Sequence, residues 1–251
     1  MHEDRIARLG TLALFVGAAL VYGSLALADF VWDDVPLVVQ NSLTGDLANL
    51  PRFFSEDLWH SSGVEGHDSG YYRPLMLTSL AVDRALWGLS AAGHHLHSVA
   101  WHLGASAVLL VLLRRLVAPL PALLGTVVFT LHPLQSEAVA WIASRKDLLS
   151  GLFSFLCLSA VARHALVPRH RTVAMAMIWA VLALYSKGTA VVLALLAPVV
   201  VSLVAGSLRG RWRLSASIAS LAFLAGLHHS WVAAGEGTLQ TLDLATRTLQ
   251  I

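Results

Sequence analysis

The sequence predicts an all-helical, polytopic membrane protein. Its composition, its apolar runs and the placement of its arginines predict this together. Of 251 residues, 57% are hydrophobic and only 13% are charged, against about 25% charged in an ordinary soluble domain. Apolar runs of spanning length recur along the chain, and clusters of arginine fall in alternate connections between them.

The first run, "LGTLALFVGAALVYGSLALA" at 9–28, is long enough to cross about 30 Å of hydrocarbon. A retained first helix is a simpler reading than a cleaved leader, because more spans follow. Further apolar runs lie near 96–113, 119–131, 148–162, 172–186, 189–206 and 214–232, which makes about seven crossings. The third is short and ends in "LHPLQSE", where Pro133 lacks an amide hydrogen and interrupts the helical ladder. The stretch 135–146 is then expected to restart as a helix at the membrane surface or in a protein-lined cavity.

Arg5 and Arg8, Arg114 and Arg115, the group Arg163, Arg169 and Arg171, and the group Arg209, Arg211 and Arg213 mark four connections as cytoplasmic, the N-terminus among them. The opposite face then holds 13 of the 15 acidic residues, all but Glu3 and Asp4. It also holds the two lysines of the chain, Lys146 and Lys187, against the topological bias. That placement asks for a local reason. The net charge of +2 and pI near 9.0 reflect arginine topology, so nucleic acid is not an expected partner. The single cysteine, Cys157, excludes a disulfide within the chain.

The longest connection, 30–94, faces outward. It contains "NLPRFFSEDLW" (49–59), the polar tip "HSSGVEGHDSG" (60–70) and "YYRPLMLTSLAVDRALWGLS" (71–90). In the last, Leu75, Leu77, Leu80, Val82, Leu86 and Trp87 roughly follow helical spacing. The loop therefore reads as two short amphipathic helices at the membrane interface, joined by a flexible tip. Residues 1–232 form one membrane domain, and 233–251 read as a short, truncated C-terminal tail.

Several polar residues could carry chemistry. Asp33 and Asp34 sit at the outer mouth of the first span, after Asp29, which reads as the helix end. They are either solvated capping residues or a functional pair. Adjacent carboxylates raise each other's pKa, and a carboxylate there could take a proton from an acceptor hydroxyl or hold a cation that binds phosphate. Glu137, Trp141 and Arg145 are spaced to share one helix face, with Lys146 and Asp147 following. They are either interfacial anchors or a phosphate site, with arginine as a two-pronged donor and lysine as a point charge. His95 and His102 lie seven apart in the second span with Ser98 between them, and they suit a polar lining better than a metal, for want of a full ligand set. Lys187 and Arg73 are either interface anchors or contacts for an anionic ligand.

The strings "FVWDDVPLVVQN", "YYRPL", "VDRALWGL", "HHLHSVAWH", "HPLQSEAVAWIASRKDLLS" and "LYSKGTAVVLALL" occur in that order. Over about 28–206 they resemble the transmembrane O-mannosyltransferase and tetratricopeptide-containing family of the GT-C superfamily, related to the protein O-mannosyltransferases. The resemblance implies an integral-membrane enzyme that moves a sugar, mannose for example, from a polyprenyl-phosphate carrier to an acceptor hydroxyl. The acceptor would be a protein Ser/Thr or a glycan, the active face periplasmic or luminal, and transfer would proceed with inversion and no covalent intermediate. It implies Asp33 or Asp34 as general base and Arg145, Lys146, Lys187 and Arg73 at the donor phosphate. Asn41, Tyr72, His95, His102, His132, Glu137, Trp141 and Asp147 would line the cavity. No cofactor beyond the donor lipid is implied, and the need for a divalent metal stays open. The chain departs from the family at Gly188, where a glutamate is usual after "SK", and at Ser98, where an asparagine is usual. Two other classes compete with the enzyme: a non-catalytic lipid-binding or assembly subunit, or an inactive fragment, and a transporter. A transporter should show charge near mid-span and paired broken helices.

Overall fold

The computed structural model describes residues 2–56, 58, 71–206 and 212–248, with side chains described from residue 8 to 232 within those ranges. The elements are helical throughout the described residues. They run α1 (His2–Gly23), α2 (Leu50–Phe53), α3 (Pro74–Trp87), α4 (Ala91–Leu113), α5 (Pro119–Leu131), α6 (Gln135–Ala140), α7 (Arg145–Leu166), α8 (His170–Ser186), α9 (Leu193–Ala205) and α10 (Trp212–Thr248). Five of the seven apolar runs each fall within one α-helix, whereas 9–28 passes from α1 into a 3-10 turn (Ser24–Leu27) and 189–206 passes from a 3-10 turn (Gly188–Val192) into α9. Four stretches, Arg8–Leu27, Ala91–Leu113, Ile142–Leu166 and Gly188–Ala205, are long and apolar enough to cross a membrane. Residues 233–248, expected as a separate tail, continue the helical backbone of α10.

The main core lies between α7, α8, α9 and α10 and is built largely from small side chains. Ala160 and Ala162 of α7, Ala176, Ala180 and Ala183 of α8, Ala197 of α9 and Ala222 of α10 are buried there. Small residues let helix backbones approach closely, and close approach is what drives helix association where lipid already solvates the apolar surface.

A second core organises the long 30–90 connection. Leu37, Val38, Phe53, Leu58, Met76, Leu77, Leu80 and Ala81 pack together and onto Ile142 and Ala143. The loop is thus a folded cap with its own interior, and this corrects the expectation of two helices lying on the interface. The first expected helix is only the four-residue α2. In α3 the buried side is Met76, Leu77, Leu80, Ala81 and Asp83, whereas Val82, Leu86 and Trp87 of the expected stripe are exposed. The tip at 60–70 lies outside the described residues.

Pro133 has the expected effect. With no amide hydrogen at 133, α5 stops at Leu131, and the Leu134 amide donates to His132 Nδ1 instead of to the Thr130 carbonyl. That freed carbonyl accepts from Tyr22 Oη at 3.0 Å, and His102 Nε2 stands at 3.0 Å from it. The broken helix end is thereby tied to α1 and α4. The restart differs from expectation: α6 lasts six residues, Trp141 is extended (φ −89°, ψ 113°), and a 3-10 turn at Ile142–Ser144 leads into α7. Glu137, Trp141 and Arg145 therefore do not share one helix face.

Candidate functional site

The two adjacent aspartates do different jobs. Asp34 is fully buried; its Oδ1 accepts from the Ala143 amide at 2.7 Å and its Oδ2 from the Val31 amide at 3.2 Å. Burial pushes its carboxyl up, and the amides of Val31 and Ala143 and the nearby His95 pull it partly back down. Asp34 is a staple that closes the 31–34 turn and binds it to the 3-10 turn before α7. The same turn holds Trp32 at φ +48°, the left-handed region that a bulky residue rarely adopts. Trp32 is exposed and packs edge-on to Trp141 with ring centroids 5.9 Å apart. Asp33, between the two, stays half-buried and lies within electrostatic reach of Arg73 and Lys146. As a base open to a substrate, Asp34 is corrected: both its oxygens are taken and it has no exposed surface.

Three cations from three parts of the chain gather around Asp33 and Asp147: Arg73 and Lys146 reach Asp33, and Lys187 joins them through Asp147. Arg73 precedes α3 and stacks over the Tyr71 ring at 4.3 Å. Burial lowers its guanidinium, with Tyr71, Asp147 and Asp33 acting the other way. Lys146 opens α7, donates to the Ala143 carbonyl at 3.0 Å and sits 5.0 Å from the centre of the Trp141 ring. Lys187 stands in the extended break after α8 and donates to Asp147 Oδ1. Lys146 lies within electrostatic reach of both Arg73 and Lys187. Three cations against the half-buried carboxylates Asp33 and Asp147 leave one positive charge over, at the N-terminal end of α7, where the helix dipole adds to it.

Arg145 is not among them, which corrects its expected place at a donor phosphate. It is fully buried: Nη1 donates to Asp83 Oδ2 at 2.7 Å, Nη2 to the His94 carbonyl at 2.8 Å and Nε to Ser98 Oγ at 3.0 Å. Asp83 also meets His97 Nδ1 on its other oxygen. The arrangement locks α3, α4 and α7 together. Sequence reasoning missed Asp83, although "VDR" stood in the motif, because nothing local distinguishes its buried side from the exposed helix face. Ser98, at the position where asparagine is usual, keeps a polar contact to Arg145. Gly188 faces the His229 ring, 3.5 Å from where a β-carbon would stand. The lysine before it is held by Asp147 in place of a neighbouring glutamate.

The remaining predicted residues scatter. Asn41 is buried within the cap, where its Oδ1 accepts from the Leu43 amide at 2.9 Å and shapes a turn. Tyr72 is buried, donates to the Phe54 carbonyl at 2.7 Å and packs edge-on against Tyr185, His228 and His229. Burial pushes its hydroxyl up to about 12. His95 is buried near Asp34, and its Nε2 lies 3.4 Å from the Asp29 carbonyl. His102 belongs to the α5 terminus already described, away from the cations. His132 and Glu137 are exposed on the α5–α6 connection and do not join the cluster. Among the described residues no three His, Cys, Asp or Glu side chains stand together as a metal site.

No protein-family model matches the chain, and no solved structure does. Curated proteins do. The chain is 31% identical over 202 residues, 78% of its length, to protein O-mannosyl-transferase Tmtc1 of Drosophila melanogaster. It is 32% identical over 60% of its length to protein O-mannosyl-transferase TMTC1 of Homo sapiens, and 29% identical over 61% to TMTC3 of Mus musculus. The chain is a homologue of the TMTC protein O-mannosyl-transferases. The matched stretch covers 22%, 18% and 17% of these three relatives, so the chain spans about a fifth of the length of the TMTC proteins it matches.

Proposed function

We propose that this chain is the donor-handling membrane portion of a glycosyltransferase that moves a sugar, with mannose the leading choice, from a polyprenyl-phosphate carrier to a protein Ser/Thr hydroxyl. The carrying observation is the half-buried Asp33 carboxylate within electrostatic reach of Arg73 and Lys146, with Lys187 joined to the same cluster through Asp147; the three cations come from three separate segments. Asp33 accepts the proton of the acceptor hydroxyl as that oxygen bonds to the anomeric carbon. The bond from that carbon to the carrier phosphate breaks, and its electron pair leaves on the phosphate oxygen. Arg73, Lys146 and Lys187 stabilise the charge that develops there, and preorganised charge of this kind is commonly the largest single contribution to rate. Trp32, next to Asp33 in the chain, packs edge-on to Trp141, over whose ring Lys146 sits. Asp34 and Arg145 hold this arrangement without touching the reactants.

In this reading all seven apolar helices cross the membrane, the N-terminus is cytoplasmic, and the Asp33 end faces the periplasm or the lumen. Ten of the 15 arginines lie in the four connections on one side and 13 of the 15 carboxylates lie on the other, which supports that orientation. The names of the relatives support the reaction class and the protein acceptor.

The test compares Asp33→Asn with Asp34→Asn in membranes supplied with a polyprenyl-phosphate mannose and an acceptor peptide. Asp33→Asn should abolish transfer at an unchanged unfolding temperature, whereas Asp34→Asn should lower transfer and stability together. Undiminished transfer by Asp33→Asn overturns the assignment. A wild-type chain that binds the carrier and transfers nothing favours a second reading, a non-catalytic lipid-binding subunit.

A further inference from the structure

At the opposite end of α7 from Lys146, a groove of about 300 Å³ opens between α4, α7 and α8. Its wall is apolar, formed by Val108 and Val111 of α4, Leu156 of α7 and Met175 of α8. Its mouth is cationic, with Arg115 just past the end of α4 and Arg163 in the last turn of α7. Arg163 lies 18 residues after Arg145, so the mouth is ~27 Å along the helix axis from the Asp33 site, close to a full bilayer thickness. The groove belongs to the other leaflet.

Two features make this mouth unusual. Neither arginine has a carboxylate partner among the described residues; Arg115 donates Nη1 to the Ser159 carbonyl at 3.0 Å, and Arg163 is exposed. The two are close enough to repel, so that burial first and the Arg163 charge second lower the Arg115 guanidinium. Two neighbouring cations without a counter-charge favour an anion between them. Two of the lining residues also carry polar atoms without a partner: Ser159 Oγ and Trp179 Nε1 are buried and have no hydrogen-bond partner among the described residues. A buried donor left unpaired is costly.

We infer that this groove is a binding site for an anionic glycerophospholipid, with the acyl chain along Val108, Val111, Leu156 and Met175 and the headgroup phosphate between Arg115 and Arg163. The apolar wall matches a hydrocarbon tail, and the guanidinium pair matches a phosphate by charge and by fork geometry. From Leu156 to Arg163 the groove runs about 10 Å along α7, so it accepts the glycerol end of a chain, with the remainder in the bilayer. The inference does not depend on the glycosyltransferase reading, because the site lies at the other end of the helices.

The full chain, purified in mild detergent, is offered phosphatidylglycerol and phosphatidylcholine at equal concentration and read by native mass spectrometry and thermal unfolding. Phosphatidylglycerol adducts should exceed phosphatidylcholine adducts by roughly tenfold or more, with a matching rise in unfolding temperature. Arg115→Gln with Arg163→Gln should remove that preference. Ala107→Phe, which fills the groove from the exposed side of α4 and leaves both arginines intact, should remove lipid retention. Equal retention of the two lipids by the wild type overturns the inference, as does a preference that survives in the Gln variant. Inorganic phosphate at millimolar concentration should not reproduce the stabilisation; if it does, the site takes a free anion and the lipid assignment fails.

Discussion

Arg145 Nη1 reaches Asp83 Oδ2 across 2.7 Å with both side chains shut off from solvent, and this pair fastens the cap to the helix that carries Lys146. Removing one partner strands a buried charge. Asp83→Ala should therefore cost about 3–5 kcal/mol, measured as a fall in unfolding free energy in detergent. Replacing both partners at once, as in Asp83→Leu with Arg145→Met, should recover most of the loss. A single variant as stable as the wild type would show that the pair does not hold the cap.

Asp34 predicts a penalty with an optical signature. Asp34→Ala leaves the Val31 and Ala143 amides without acceptors, which should cost about 1–3 kcal/mol for each that stays buried. The turn carrying Trp32 then relaxes away from Trp141, so tryptophan fluorescence should shift as the ring pair opens. Unaltered emission together with unaltered stability would remove the staple role.

Lys187 separates stability from chemistry. Its ion pair with Asp147 is partly exposed, and pairs of this kind contribute about 0–1 kcal/mol. Lys187→Met should leave the unfolding temperature almost unchanged while transfer from the lipid donor falls at least roughly tenfold, the effect of losing a charge-assisted phosphate contact. Transfer at the wild-type rate would take Lys187 out of the donor site.

Tyr72 sets an alkaline limit on the cap. Burial raises its hydroxyl from 10.0 to about 12, so the unfolded chain releases this proton at lower pH than the folded one. The stabilisation is whole below pH 10 and is lost as pH rises through 12. Tyr72→Phe should remove this part of the alkaline slope in a titration of unfolding temperature between pH 10 and 12. An identical slope in both proteins would assign it to other tyrosines.

The helical class could be read from hydropathy because lipid imposes a single backbone solution on a long apolar run, and Pro133 acted locally as its chemistry requires. The cap could not be read in the same way. Its interior is made by residues as far apart as Leu37, Met76 and Ile142, and no local period encodes which of two apolar sides of α3 turns inward. Lys146, Lys187 and Arg73 were recognisable because they break the charge sorting of the chain. Arg145 misled for the opposite reason. Beside Lys146 it looked like half of a cationic pair, and the one-residue extension at Trp141 that turns it inward leaves no signature in spacing. His132 and Glu137 fell within a distinctive motif, but the motif straddles that break, so its first half is carried away from the cluster.

The break at Trp141 also bears on how this protein can vary. Two doublets, Asp33–Asp34 and Arg145–Lys146, each place one member inside the scaffold and its half-buried neighbour in the charged cluster. Lysine in place of Arg145 would lose a three-partner fork, whereas arginine in place of Lys146 would keep its charge at the mouth. Tolerance to substitution should therefore alternate from one residue to the next, and the members of a doublet should drift independently although they touch along the chain.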